Sequence, residues 1–170
     1  MTGAGFAVQR LRPEHWRRWR ELRLGALAES PEAFSSTVER ERRLPDEVWR
    51  ERARAFAEPA RDRTMLVAVE AADGGWIGCA GAIVEGGVPH VISVWVVPER
   101  RGQGVGGSLV EAVVAWARAE GHDRLRLDVV RGQVAAVRLY RRLGFRTTGR
   151  VTPVPRDPEL IEEEMVLPLA

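Results

Sequence analysis

The spacing of apolar positions changes character several times along the chain. Residues 5–11 (Gly-Phe-Ala-Val-Gln-Arg-Leu) alternate as a first strand does. Pro13 stands where a helix can begin, and Trp16, Trp19, Leu22, Arg23, Leu24 and Leu27 keep helical spacing to about Ala28. Ser30-Pro31 restarts the chain as a cap followed by proline. Leu44-Pro45-Asp46-Glu47 opens a second helix, with acids in the first turn complementing the helix dipole. It carries Val48, Trp49, Arg52 and Phe56 and is expected to stop near Pro59. The texture then turns β-rich over 64–71 and 76–84, separated by the turn Asp73-Gly74-Gly75. Glu85-Gly86-Gly87 leads into a third β-rich run, 88–97, which Pro98 ends because proline donates no ladder hydrogen bond.

A glycine-rich turn follows, then a helix over 105–120 whose stripe is Leu109, Val110, Val113, Val114 and Ala117. Gly121 is its C-cap. Residues 125–130 read as a short strand and 134–143 as a short helix stopped by Gly144. Residues 145–151 and 164–167 read as closing strands, separated by the proline-rich loop Pro153-Val154-Pro155-Arg156-Asp157-Pro158. Consecutive hairpins are thus followed by one parallel crossover, from 91–97 to 125–130, which predicts a mixed sheet flanked by helices.

Composition narrows the chemistry. The 170 residues suit a single domain, 1–170, and 45% apolar with 29% charged residues is ordinary for a globule. A net charge of +2 supplies no global field for nucleic acid or membrane. All 26 basic residues are Arg, which excludes a Schiff base on lysine and a Walker-type phosphate loop. Cys79 is the single cysteine, so there is no internal disulfide, and a reducing cytoplasm is the expected compartment. Met1 to Arg10 lacks the apolar stretch of a signal peptide, and no apolar run is long enough to span a bilayer. His15, His90 and His122 are far apart in sequence, so no metal is expected.

The most informative stretch is Val96 to Gly107, a strand, a glycine-rich turn and a helix start. The first amides of a helix have no intrahelical partner, the dipole adds partial positive charge, and glycine lets a ligand approach the backbone. Such a mouth holds a phosphate or pyrophosphate, and Arg100 and Arg101 could add charge. Gly102-x-Gly104-x-x-Gly107 formally matches a dinucleotide fingerprint. Against that reading, Pro98 to Arg101 separate it from its strand, almost 100 residues precede it, and only one parallel unit is visible.

Arg101-x-x-Gly104-x-Gly106, with Val94-Trp95-Val96-Val97-Pro98 before it and Leu139-Tyr140-Arg141-Arg142-Leu143-Gly144-Phe145 after it, resembles the GCN5-related N-acetyltransferase (GNAT) superfamily. The segment from Leu22-Arg23-Leu24 to Ser30-Pro31-Glu32-Ala33-Phe34 is also similar to bacterial members. The resemblance implies an α/β fold with a mixed, mostly antiparallel central sheet, one parallel splayed strand pair and flanking helices. It implies acetyl-coenzyme A as co-substrate, with the backbone of Val94, Trp95 and Val96 along its pantetheine. The loop of Arg101, Gly102, Gln103, Gly104, Val105, Gly106 and Gly107 would take its pyrophosphate. Gln133 stands where members carry a cofactor-contacting Asn. Tyr140, the chain's one tyrosine, falls where the family protonates the departing thiolate.

The general base stays open between Asp128, Glu85 and His90. Trp95, Trp16, Trp19, Trp49 and Phe34 read as core, with Trp95 alternatively lining the acceptor pocket. The implied reaction is direct attack by a primary amine in a ternary complex, with no covalent intermediate on Cys79. The acceptor, a small molecule or a peptide, would sit among the early helices, the turn at Glu85 to Pro89 and the proline-rich loop. A homodimer is the implied assembly. The alternative is a coenzyme-A-binding regulatory module without turnover.

Overall fold

A computed structural model describes residues 2–3, 5–57 and 61–169. Seven strands are β1 (Phe6–Arg10), β2 (Arg63–Glu70), β3 (Trp76–Glu85), β4 (Val88–Val96), β5 (Arg124–Val130), β6 (Arg146–Val154) and β7 (Asp157–Pro168). Helices α1 (Trp16–Glu29), α2 (Val38–Arg42) and α3 (Asp46–Ala57) lie between β1 and β2. Helix α4 (Val105–Ala119) links β4 to β5, and α5 (Val134–Arg142) links β5 to β6. The sheet runs β1-β2-β3-β4-β5-β7-β6, with the two-residue strand Thr2–Gly3 beside β1. Every neighbouring pair is antiparallel except β4 with β5. This is the mixed, mostly antiparallel sheet with flanking helices expected from the sequence.

Alternate side chains of the central strands feed two cores. Leu66 and Ala68 of β2 join Val105, Leu109, Val110 and Val113 of α4 on one face. Met65 and Val67 join Trp16, Trp19, Trp49 and Phe56 under α1 and α3 on the other. With both faces covered, β2 reads as a continuous apolar run rather than an alternating one. The aromatic core is tied by edge-to-face contacts of Trp19 with Trp49 and Phe56, at 5.5 and 5.7 Å between centroids. Trp95, Trp16, Trp19, Trp49 and Phe34 are all buried.

Two expectations are corrected. Helix α2 is absent from the sequence reading because Val-Glu-Arg-Glu-Arg carries no apolar stripe. Thr37 nevertheless caps it by accepting from the Arg40 amide, and its Glu41 is buried against Arg23. The closing strands are longer than their apolar runs, because the proline-rich segment is mostly strand and only Pro155 and Arg156 form the turn. Pro153 is tolerated because β6 is the sheet's edge, where a missing donor costs no ladder bond. Pro59, the expected end of α3, lies outside the described residues. Among the described residues, no helix is long and apolar enough to cross a membrane.

Candidate active site

The parallel strands β4 and β5 share one register pair, His90 with Arg126. Beyond it β5 keeps only its antiparallel partner β7, as far as Val130, while β4 stays with β3 to Val96. A cavity of about 460 Å³ fills the parting. Ser93 and Val94 of β4, Asp128 and Val130 of β5, Tyr140 of α5 and Gln133 at its N-cap line it. Phe34, Ser35, Glu85, His90, Pro155 and Glu162 line it as well. Of the elements expected around the acceptor, α1 through Arg23, the turn at Glu85 and the proline-rich segment through Pro155 meet at this cavity, whereas α3 contributes no lining residue. A second groove, about 330 Å³ over Val88, Arg126 and Glu164, lacks Tyr140, and neither space is lined by a residue of the glycine loop.

The glycine loop lies between β4 and α4. Gly104 caps α4 with φ of 85°, a conformation that costs another residue about 1–2 kcal/mol. The first helical bond runs from the Ser108 amide to the Gly104 carbonyl, leaving the amides of residues 105–107 without helical partners. Packing alone does not require a glycine at Gly106. A Cβ there would stand 3.4 Å from Leu139 Cδ2, an ordinary contact with the end of a side chain.

The arginines of the loop are engaged elsewhere. Arg100 holds Glu70 with two hydrogen bonds and donates to Gln103 Oε1 at 3.1 Å, while Gln103 donates to the Glu99 carbonyl. Arg101 Nε donates to the Val96 carbonyl at 3.0 Å, and its Nη2 lies 2.5 Å from Glu29 Oε2. That guanidinium, then Ser30, hold the Glu29 carboxyl down at about 2. The loop thus presents main-chain donors more than arginine charge. Trp95 also donates to Glu29, at 3.0 Å, with its ring in the core.

All three base candidates meet at the lower end of the gap. His90 Nε2 lies 3.1 Å from Asp128 Oδ2, and Nδ1 lies 3.4 Å from Glu85 Oε2. Arg126 braces Glu85 at 3.1 Å. Burial disfavours a charged His90, but the Asp128 carboxylate and then Glu85 outweigh it, and its pKa is raised above the ordinary 6.5. Asp128 is lowered, chiefly by its hydrogen bond to His90. The pair therefore favours an ionised carboxylate beside an imidazole that titrates above its usual range.

Tyr140 is 7% exposed, packs edge-to-face on Phe145, and makes no hydrogen bond through its hydroxyl among the described residues. Burial pushes its pKa up to about 12, so it is a neutral donor at physiological pH. Cys79 is buried, and burial pushes its thiol to about 12, which disarms it as a nucleophile.

Three lining residues escaped the sequence reading as site groups. Arg23 figures in the sequence only in a helical pattern and in the Leu22-Arg23-Leu24 stretch of the resemblance. Ser93 is the one non-glycine residue with positive φ among the described residues, at 56°. Glu162 has its pKa raised by burial, then by Asp128. Its one signal was alternation: Glu162 and Glu164 share a strand face.

Comparison with known proteins bears on the family and the fold. The model of the acetyltransferase (GNAT) family matches residues 11–145. Mycothiol acetyltransferase of Thermobispora bispora is 35% identical over 129 residues, covering 75% of this chain and 41% of that protein. The chain thus spans less than half the length of that relative. A GNAT-family acetyltransferase from Streptococcus pneumoniae superposes with a TM-score of 0.82 at 18% identity, covering 97% of this chain and 99% of that one. YncA of Salmonella typhimurium, solved with its cofactor acetyl-CoA, gives 0.77 at 20% identity, covering 97% and 94%. At these identities the structural likeness is one of fold.

Proposed function

Because the chain belongs to the acetyltransferase (GNAT) family, we propose that it moves an acetyl group from acetyl-coenzyme A to a primary amine by direct attack in a ternary complex. The observation that carries this reading is the parting of β4 from β5 after one register pair, with spare amides at one end and the unpartnered Tyr140 hydroxyl in its wall. The residues present fit the carrier. Amides of the loop over 102–107 would hold its pyrophosphate. The main chain of Ser93 and Val94, which has no register partner on β3 or β5, would face its thioester, and Gln133, on the cavity wall, would contact it.

His90 takes, at Nδ1, the proton that the acceptor ammonium must lose; the acceptor displaces the longer 3.4 Å contact to Glu85 there, while Asp128 holds the Nε2 proton. Asp128 and Glu85 orient the ring and stabilise its charged form once the proton arrives. Tyr140 gives its proton to the sulfur as the carbon–sulfur bond breaks and the carbon–nitrogen bond forms. A phenol near 12 is a weak donor to an ordinary thiolate of about 8.5. Burial also raises the proton affinity of a thiolate formed beside it, which narrows the difference. A regulatory module without turnover would leave the His90 cluster without a role.

The acceptor is a small molecule or a peptide amine bound between Phe34, Glu85 and Pro155. The test is thiol release from acetyl-coenzyme A against an amine panel, alongside calorimetric binding. Turnover with at least one amine is expected. Binding without turnover across a broad panel would favour the regulatory alternative, and absence of both would refute the reading.

A further inference from the structure

Ser93 stands at a break in the β3–β4 ladder. Cys79 pairs with Trp95 and Gly81 with Ile92, so one extra residue is accommodated on β4 and neither Ser93 nor Val94 has a register partner on β3. Neither has one on β5, because that pairing stops at His90. A serine at φ of 56° is held there against its own preference. Two contacts hold it. Cys79 Sγ donates to the Ser93 carbonyl at 3.2 Å, and Arg23 Nη1 donates to the Ser93 hydroxyl at 2.8 Å.

Arg23 is itself fixed. Its Nε and Nη2 grip Glu41 at 3.2 and 2.9 Å, and its guanidinium stacks 4.8 Å over Phe34. Glu41, on the short α2, is 4% exposed and also lies 3.7 Å from Arg52. This grip accounts for a polar five-residue helix burying a carboxylate. We infer that Arg23, clamped by Glu41, is a positioning residue that pins Ser93 in its left-handed bulge and so aims the main chain of residues 93–94 at the thioester carbonyl. The guanidinium fork is required: only arginine can grip a carboxylate with one edge and reach a hydroxyl with another nitrogen. The inference rests on the acetyl-transfer reading above.

Two variants test it. Arg23→Lys keeps a cation for Glu41 and loses the span to Ser93. Ser93→Ala leaves the Arg23–Glu41 pair intact and removes only the tethered hydroxyl. Each is measured by thiol release with an amine accepted by the wild-type protein, and by calorimetry with acetyl-coenzyme A and with coenzyme A. Each variant should lower kcat by about tenfold or more while coenzyme A, which lacks the thioester carbonyl, binds as before. The double variant should lose no more than the worse single one, because both remove one tether. Unchanged kcat in both variants, or losses that multiply in the double variant, would overturn the inference. A wild-type protein that neither binds nor turns over acetyl-coenzyme A would instead overturn the reading beneath it.

Discussion

The two edges of β4 are unlike. Toward β3 it is in register over most of its length, broken only at Ser93. Toward β5 it is joined at His90 alone. The closed edge is antiparallel and its turn is two glycines long, so the pairing is local and its side chains divide between two filled cores. The open edge is parallel and is reached through the whole of α4, and β7 then supplies β5 with an antiparallel partner on its far side. The cavity therefore follows from topology. Little side-chain chemistry is needed to keep it open, which leaves its side chains available for proton transfer.

The contrast between the edges is tested most severely by disabling what the open one presents. Tyr140→Phe should lower turnover by roughly 10² or more while acetyl-coenzyme A still binds, as measured by thiol release and calorimetry. His90→Ala should cost a similar factor of about 10² in kcat/KM. Equal rates for wild-type and variant would remove either residue from the proton transfers.

How far the sequence reveals this arrangement depends on sequence distance. The strand–loop–helix unit from Val94 to Gly107 is contiguous, so glycine, proline and periodicity locate it directly. Tyr140 is legible through its short motif. Glu85 and His90 are close through the local hairpin, but Asp128 is visible only as a separate candidate, because its meeting with them depends on the single pair His90–Arg126. Glu162 shows in the sequence only as one of two alternating glutamates, since it reaches the cavity because β7 inserts between β5 and β6. The tether of Arg23 to Ser93 crosses 70 residues and relies on α2, whose polar sequence offers no apolar stripe.

Smaller perturbations probe the same contrast more finely. Asp128 raises the pKa of His90, and the base works when neutral, so activity should rise with pH through a midpoint above 6.5. Asp128→Asn removes the first of the raising influences and should move that acid limb of the kcat/KM profile to lower pH. An unmoved limb would detach Asp128 from the base.

Gly104→Ala puts a side chain at φ of 85° and should cost about 1–2 kcal/mol by denaturant unfolding, with weaker acetyl-coenzyme A binding. At the closed edge the smallest response is expected. Cys79, 1% exposed, should resist an aromatic disulfide reagent in the native state and react only on unfolding. Fast native labelling would show that the closed edge opens too.

Amide hydrogen exchange with and without acetyl-coenzyme A reads both edges of β4 in one experiment. New protection is expected at residues 93–96 and 102–107, the open edge and the helix mouth, with β3 unchanged. Protection elsewhere, or none at saturating ligand, would contradict a carrier seated in the parting of β4 from β5.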